Sequence, residues 1–259
     1  MAIERLVPGT CEWDLYFANH IQRYTFAADM LRPQCVSAVL DAACGVGYGS
    51  MYLAEAGATV VGVDRDEGAL STARAKFAHP QVKFIRDDCQ KLAQIPNGSF
   101  DAVVSFETLE HLSEPAEFLN RCRQVLRDQG CIIVSTPNGN LRENSAKDEW
   151  EFHEKEYSAK EFVNLLTAAG FRDIRLWGQT YTSIGRLRNQ VRGELNRVHS
   201  NPLFRLGRVI QRIFRGHTFH PAILPESLDD FVLHEFSSAE EIDCLSRLGP
   251  FVIVAFGRR

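Results

Sequence analysis

The residues best suited to chemistry near the start of the chain lie in VLDAACGVGYGS, Val39 to Ser50. Glycines at 45, 47 and 49 follow the acid Asp41. Glycine lets a backbone turn tightly and come close to a ligand, and the free amides that open a following helix can receive a carboxylate or phosphate. About 20 residues past this turn, Asp64 closes ATVVGVD, where a carboxylate can accept hydrogen bonds from both hydroxyls of a ribose. A glycine turn with a distal acid serves several nucleotide cofactors. Two residues narrow the choice. Ser50 stands where a dinucleotide fingerprint has glycine, and Asp41 would repel a pyrophosphate while suiting a ligand that carries an ammonium.

These residues need a frame, and the chain's texture supplies one. Short apolar or β-branched runs occur at SAVLDAA, ATVVGVD, QVKFIRD, FDAVVSFE and CIIVSTP. Segments with helical spacing separate them, at Ser50 to Gly57, Glu67 to Phe77 and Pro115 to Arg127. Strands alternating with helices predict βαβ units and a parallel sheet, covered on both faces because the strands are near-continuously apolar. Ser158 to Gly170 reads as a further helix ending at a glycine, FRDIRLW as a sixth strand, and FVIVAFGRR as a seventh, inserted antiparallel beside the sixth. Ahead of the first strand, Asp14 to Met30 has apolar residues at helical intervals and is placed to cover the cleft. The expected fold is α/β, a doubly wound Rossmann-like mixed sheet of seven strands with the last antiparallel. An N-terminal cover helix occupies residues 1–35, the cofactor-binding core 36–178, a helical cap 179–228 between strands six and seven, and a C-terminal return to the sheet 229–259.

With these motifs in place, the sequence resembles the class I S-adenosylmethionine (SAM)-dependent methyltransferases. The resemblance rests on DAACGVG, Asp64, RDDCQKL and FETLEHL, in that order, over roughly Val36 to Phe171. It implies that Ala43, Gly45 and Gly47 form the glycine motif against the methionyl moiety, with Asp41 near its amino group. Asp64 would hold the ribose hydroxyls, Arg65 would lie beside the adenine, and Asp88 and the amide of Cys89 would read the adenine edge. Glu107 would sit at the sulfonium end; its alternative is a strand-end acid. Ala43 departs from relatives that have glycine there. A narrower resemblance, in HIQRY, CGVGYGS, SFETLEH, STPN and FHEKEYS, is to methyltransferases of bacterial surface-polysaccharide and sugar-tailoring pathways, which implies a small-molecule or saccharide acceptor.

Methyl transfer needs in-line alignment of nucleophile, carbon and sulfur, and a sugar hydroxyl gains from a general base. Imidazole suits that role near neutrality. His111 follows the fourth strand and His153 the fifth, and either is a candidate. A helix cap is the alternative for His111 and a solvated loop position for His153. His20, Arg23 and Tyr24 on the cover helix would face the cofactor carboxylate or the acceptor, or else pack on the core. An amine acceptor or a quinone-type hydroxyl fits the same fold. An NAD-dependent oxidoreductase and a non-catalytic SAM-binding partner subunit are the readings from other classes.

Composition bounds the rest. The 259 residues carry a net charge of -4, 45% hydrophobic and 24% charged residues, which is ordinary for a globular chain and unlike a nucleic-acid binder. Seven cysteines with no CxxC pair read as reduced thiols of a cytoplasmic protein. No signal peptide is apparent, and no apolar run reaches the ~18 residues of a membrane span. No HExxH or comparable set occurs, so no metal site is expected. From Thr180 to Pro225 there are eight arginines, no lysine and one acid, Glu194, and Arg205, Arg208, Arg212 and Arg215 form a basic stripe beside an apolar one. That stripe suits a phosphate, a nucleotide sugar or an anionic lipid surface, giving peripheral membrane contact, or else a homodimer face or plain solvent.

Overall fold

The computed structural model describes residues 7–141, 153–183, 185–187, 190, 230–245 and 250–259. Helix α1 (Cys11–Leu31) leads into strand β1 (Ala38–Ala42), helix α2 (Tyr48–Glu55), β2 (Thr59–Asp64), α3 (Glu67–Lys76) and β3 (Val82–Arg86). Then come β4 (Phe100–Phe106), α4 (Pro115–Val125), β5 (Leu126–Pro137), α5 (Ala159–Ala168), β6 (Arg172–Tyr181), β7 (Phe231–Phe236), a short helix α6 (Ala239–Cys244) and β8 (Val252–Arg258).

The strands form one sheet in the order β3-β2-β1-β4-β5-β8-β6-β7. Neighbours among β1 to β5 are parallel, and β8 runs antiparallel between β5 and β6. This is the expected doubly wound, Rossmann-like sheet with one correction: among the described residues it has eight strands, not seven. The added strand, β7, lies at the edge and pairs antiparallel with β6 alone. β6 also runs to Tyr181, past the expected boundary at 178. The basic cap expected over 179–228, with its arginine stripe, lies almost entirely outside the described residues.

Alternation along the central strands assigns each side chain to one of two cores. Leu40, Val103, Ile132, Val134, Ile253 and Ala255 point to the face covered by Phe118, Leu119 and Cys122 of α4 and Phe162 and Leu166 of α5. Val39, Val104, Ile133 and Val254 point to the face covered by Ile21, Ala27 and Leu31 of α1 and Leu53 and Ala54 of α2. A two-residue period thus builds both layers from the same strands, which explains their unbroken apolar appearance.

Two devices hold the cover helix in place. Arg23, fully buried, donates from Nη1 to Asn19 Oδ1 at 2.7 Å and to Gln179 Oε1 on β6 at 2.6 Å. Gln179 Nε2 donates back to the Asn19 carbonyl and to Gln22 Oε1, and Gln22 Nε2 reaches the Phe231 carbonyl on β7 at 2.6 Å. The Tyr24 ring lies directly over Gly49 of α2, where a Cβ would come within 2.0 Å of it. Strand order reverses between β1 and β4, and open α/β sheets bind ligands at that crevice.

Candidate active site

At the carboxyl end of β1 the chain turns through three residues with positive φ: Ala43 (62°), Gly45 (55°) and Gly47 (87°). Ala43 sits in a left-handed conformation that costs an L-residue on the order of 1 kcal/mol, and the turn tolerates it. The Cys44 amide donates to the Val63 carbonyl of β2 at 2.9 Å, and the Gly47 amide to the Cys44 carbonyl at 3.0 Å. Gly47 must be glycine on a second count, since a Cβ would lie 2.6 Å from the Phe84 ring and 2.7 Å from Ala73. No atom comes within 4 Å of a Cβ built on Gly45, so the loop leaves open space beside it.

Asp64 ends β2 and is buried. Its Oδ2 accepts from the Gly45 amide at 2.9 Å and its Oδ1 from the Asp66 amide at 2.9 Å. The acid therefore fixes the glycine turn from below, and a carboxylate retains further lone pairs for a ligand. After β3, the Asp88 Oδ1 accepts from the Gln90 amide at 3.0 Å, which closes a local turn. Burial, with Asp88 and Asp64 nearby, pushes the Cys89 thiol up to about 12, so it is a neutral group rather than a nucleophile.

One cleft runs along this edge. Of the residues singled out in the sequence, His20, Tyr24, Ala43, Gly45, Asp64, Arg65, Asp88, Cys89, Glu107 and His111 line it. Cys44, Val46, Tyr48, Gln90, Phe106, Thr108 and Leu112 line it too, and sequence reading passed over them. Several of these sit inside the quoted motifs, so taking whole motifs rather than their acids and glycines would have found them. Asp41, Gly47, Arg23 and His153 are not on the wall. Gly47 is the N-cap of α2. Arg23 is used in the α1–β6 network, and its Nε and Nη2 make no hydrogen bond. His20 is held well below the usual histidine range by burial and then by the Arg23 charge, and so is neutral.

Asp41 is buried beneath the turn, where Ser50 Oγ donates to its Oδ2 at 2.6 Å and Tyr24 Oη to its Oδ1 at 3.2 Å. Burial pushes its carboxyl from 3.8 up to about 7; the Ser50 and Tyr24 hydrogen bonds oppose this and the Asp64 charge adds to it. Between those two pH values the folded chain keeps a proton that the unfolded chain has lost. Stability therefore falls as pH rises through this window, and the full penalty is present above about pH 7. The urea midpoint is expected to drop between pH 5 and 7.5, and Asp41→Asn to make that drop shallower. Glu110, raised for similar reasons, contributes in the same direction, so the slope does not vanish. Equal slopes for the two proteins would contradict this assignment.

Past β4 the backbone bends sharply. Glu107 has φ of 51°, a strained value for such a residue. Its amide donates to the Ser135 carbonyl, and Ser135 Oγ donates to its Oε1 at 2.8 Å. A single 3-10 turn, Leu109–His111, then carries Glu110 and His111. The Glu110 carbonyl accepts from the amides of Glu154, at 2.7 Å, and Lys155, at 3.3 Å. That clasp draws the loop after β5 across the sheet edge and brings the His153 ring 4.8 Å from the His111 ring, centroid to centroid. His153 Nδ1 lies 2.9 Å from Glu156 Oε1. α4 starts with no side-chain cap bond to its first turn. The cleft thus bears carboxylates at Asp64 and Asp88 and, past β4, carboxylate and imidazole at Glu107 and His111.

Several known proteins resemble this chain in sequence or in fold. Residues 40–134 match the methyltransferase domain family. The chain is 35% identical over 179 residues to a probable S-adenosylmethionine-dependent methyltransferase of Mycobacterium tuberculosis, covering 68% of this chain and 62% of that one. It is 37% identical over 106 residues to the ubiquinone biosynthesis O-methyltransferase of Aromatoleum aromaticum, covering 40% and 45%. The chain thus spans about three fifths of the length of the first of these relatives, 62%. Among solved structures, a SAM-dependent methyltransferase from Thermotoga maritima superposes with a TM-score of 0.59 at 16% identity, covering 95% of this chain and 94% of that one, and so shares its fold.

Proposed function

We propose, on the premise that residues 40–134 match the methyltransferase domain family, that this chain transfers a methyl group from SAM to a hydroxyl of a small-molecule or saccharide acceptor. The observation that carries this reading is one cleft, which joins Gly45, Asp64 and Asp88 to Glu107 and His111. SAM supplies an electrophilic methyl group on a sulfonium. The glycine turn, open beside Gly45, fits the methionyl chain, and Asp64 fits the ribose diol. Asp88, the Cys89 amide and Arg65 surround the adenine. Asp41 acts from below, through Ser50 and Tyr24, on the loop that meets the amino group. Tyr24 and His20 close the cleft over the ligand, and Arg23 fixes the helix that carries them. Glu107 faces the sulfonium end.

The acceptor hydroxyl is placed beside His111 and His153, and one of this pair handles its proton. Attack in line with the C–S bond then needs only alignment. The surface-polysaccharide and sugar-tailoring motifs support a saccharide acceptor. A quinone-pathway hydroxyl is the second reading, favoured by the match to a ubiquinone biosynthesis O-methyltransferase; an amine is a third acceptor for the same fold. We place the reaction in the cytoplasm. No helix among the described residues is long and apolar enough to cross a membrane. The arginine stripe supports contact with an anionic surface or a second copy of the chain.

Methyl-labelled SAM, incubated with the purified chain and separate panels of sugars, phenols and amines, tests this directly. Label should appear in one panel with equimolar S-adenosylhomocysteine (SAH). Failure of a folded protein to bind SAM or SAH by calorimetry would overturn the reading. Transfer to amines alone would overturn the hydroxyl assignment.

A further inference from the structure

We propose that Glu110, His111 and His153 form a binding site for a divalent transition-metal ion beside the cleft, at the end that His111 lines. Each offers one ligand atom, and these atoms all lie within 4.8 Å of one another. Nitrogen and oxygen donors sit about 2.0–2.2 Å from such an ion, so the three must close by roughly half an ångström or more around it. The clasp of the Glu154 and Lys155 amides to the Glu110 carbonyl keeps His153 in range.

A second, independent observation comes from Glu110. It is fully buried, its Oε2 accepts from Thr136 Oγ1 at 3.1 Å, and its Oε1 has no hydrogen-bond partner. A buried carboxylate oxygen without a partner is costly. An ion bound there would give that oxygen a partner. His153 adds a third. Its Nδ1 lies 2.9 Å from Glu156 Oε1. A carboxylate behind a ligating imidazole is the usual support of such sites.

The donor set selects the ion. Two neutral imidazoles and one carboxylate suit the series from Mn2+ to Zn2+ better than Mg2+ or Ca2+, which favour oxygen throughout. Three protein ligands leave positions open for water or an acceptor oxygen. For its chemistry, though not for metal binding itself, the inference rests on the methyl-transfer reading above. It revises one step of that reading. The acceptor hydroxyl ionises on the metal, giving its proton to water rather than to an imidazole. Its oxygen then forms the new O–C bond as the C–S bond breaks, and the electron pair stays on sulfur in neutral SAH.

The test uses the full chain stripped with EDTA and titrated calorimetrically with Zn2+ and with Co2+, the latter also followed by its visible absorption. One equivalent should bind. His111→Ala and His153→Ala should each weaken binding by at least tenfold to a hundredfold and alter the Co2+ spectrum. Glu110→Gln should do the same, and if that buried variant fails to fold, the two histidine variants decide. No stoichiometric binding, or binding indifferent to both histidine variants, would overturn the site. SAH titration of the same samples separates the two claims. SAH binding without metal binding removes the metal site alone, and metal binding without SAH binding removes the methyltransferase reading alone.

Discussion

Asp64→Ala should bind SAM and SAH about a hundredfold to ten-thousandfold more weakly than the unsubstituted chain while remaining folded. Two effects combine. The ribose diol loses two hydrogen bonds to a charged acceptor, worth about 1.5–3 kcal/mol each, and every 1.4 kcal/mol is roughly tenfold in Kd. The variant also frees the Gly45 and Asp66 amides that the carboxylate holds at 2.9 Å, so the turn itself loosens. Asp64→Asn keeps one acceptor oxygen and should fall between the two. Calorimetry with SAH, beside circular dichroism for the fold, measures both effects. An Asp64→Ala protein within about threefold of the parent, less than 1 kcal/mol, would remove the ribose assignment.

The double variant His111→Ala/His153→Ala should lose about 10²–10⁴ in kcat, the usual worth of positioned proton transfer, with SAH affinity nearly unchanged. His111 lines the cleft past β4, with the His153 ring beside it, while Asp64 and Asp88 follow β2 and β3, which is why binding and turnover should separate. The single variants carry more information than the double. If one imidazole is the base, its removal alone should cost nearly the full factor and the other little. If both hold an ion, each single variant should cost about as much as the pair, because residues that act as a unit are far from additive. A double variant that keeps more than a tenth of the parent turnover would place the proton's path elsewhere.

Much of this arrangement can be read from the chain because the glycine turn and its supports are local. Strand, turn and helix around Val39 to Ser50 are contiguous, and glycine at a positive φ leaves a mark in the sequence. The acceptor end is different. His111 and His153 meet because a backbone carbonyl accepts two amides from a distant loop, and backbone bonds have no residue signature. The same holds for Arg23, whose helix position reads as a cleft cover but whose guanidinium is used on Gln179 of β6. β7 went unread for another reason. FVLHEF is an edge strand, buried at Phe231 and open at His234 and Glu235, so it shows neither the continuous apolar run of a central strand nor a clean alternation. Ser50 is half a success. It separates this turn from a dinucleotide fingerprint, yet its observed task is to donate to Asp41.

Biosynthesis meets the sheet in a different order from its geometry. β5 emerges from the ribosome early, with Gly130 to Pro137 destined for full burial. Its partner on one side, β4, is already made; on the other side it must wait for β8, the last strand in chain order, which also joins β6 to the rest. Unpaired strand edges are sticky, and at bacterial or eukaryotic synthesis rates the wait lasts roughly ten seconds. For that interval the nascent chain carries an open, apolar edge on a half-built sheet, and the late arrival of Val252–Arg258 is the step that seals it.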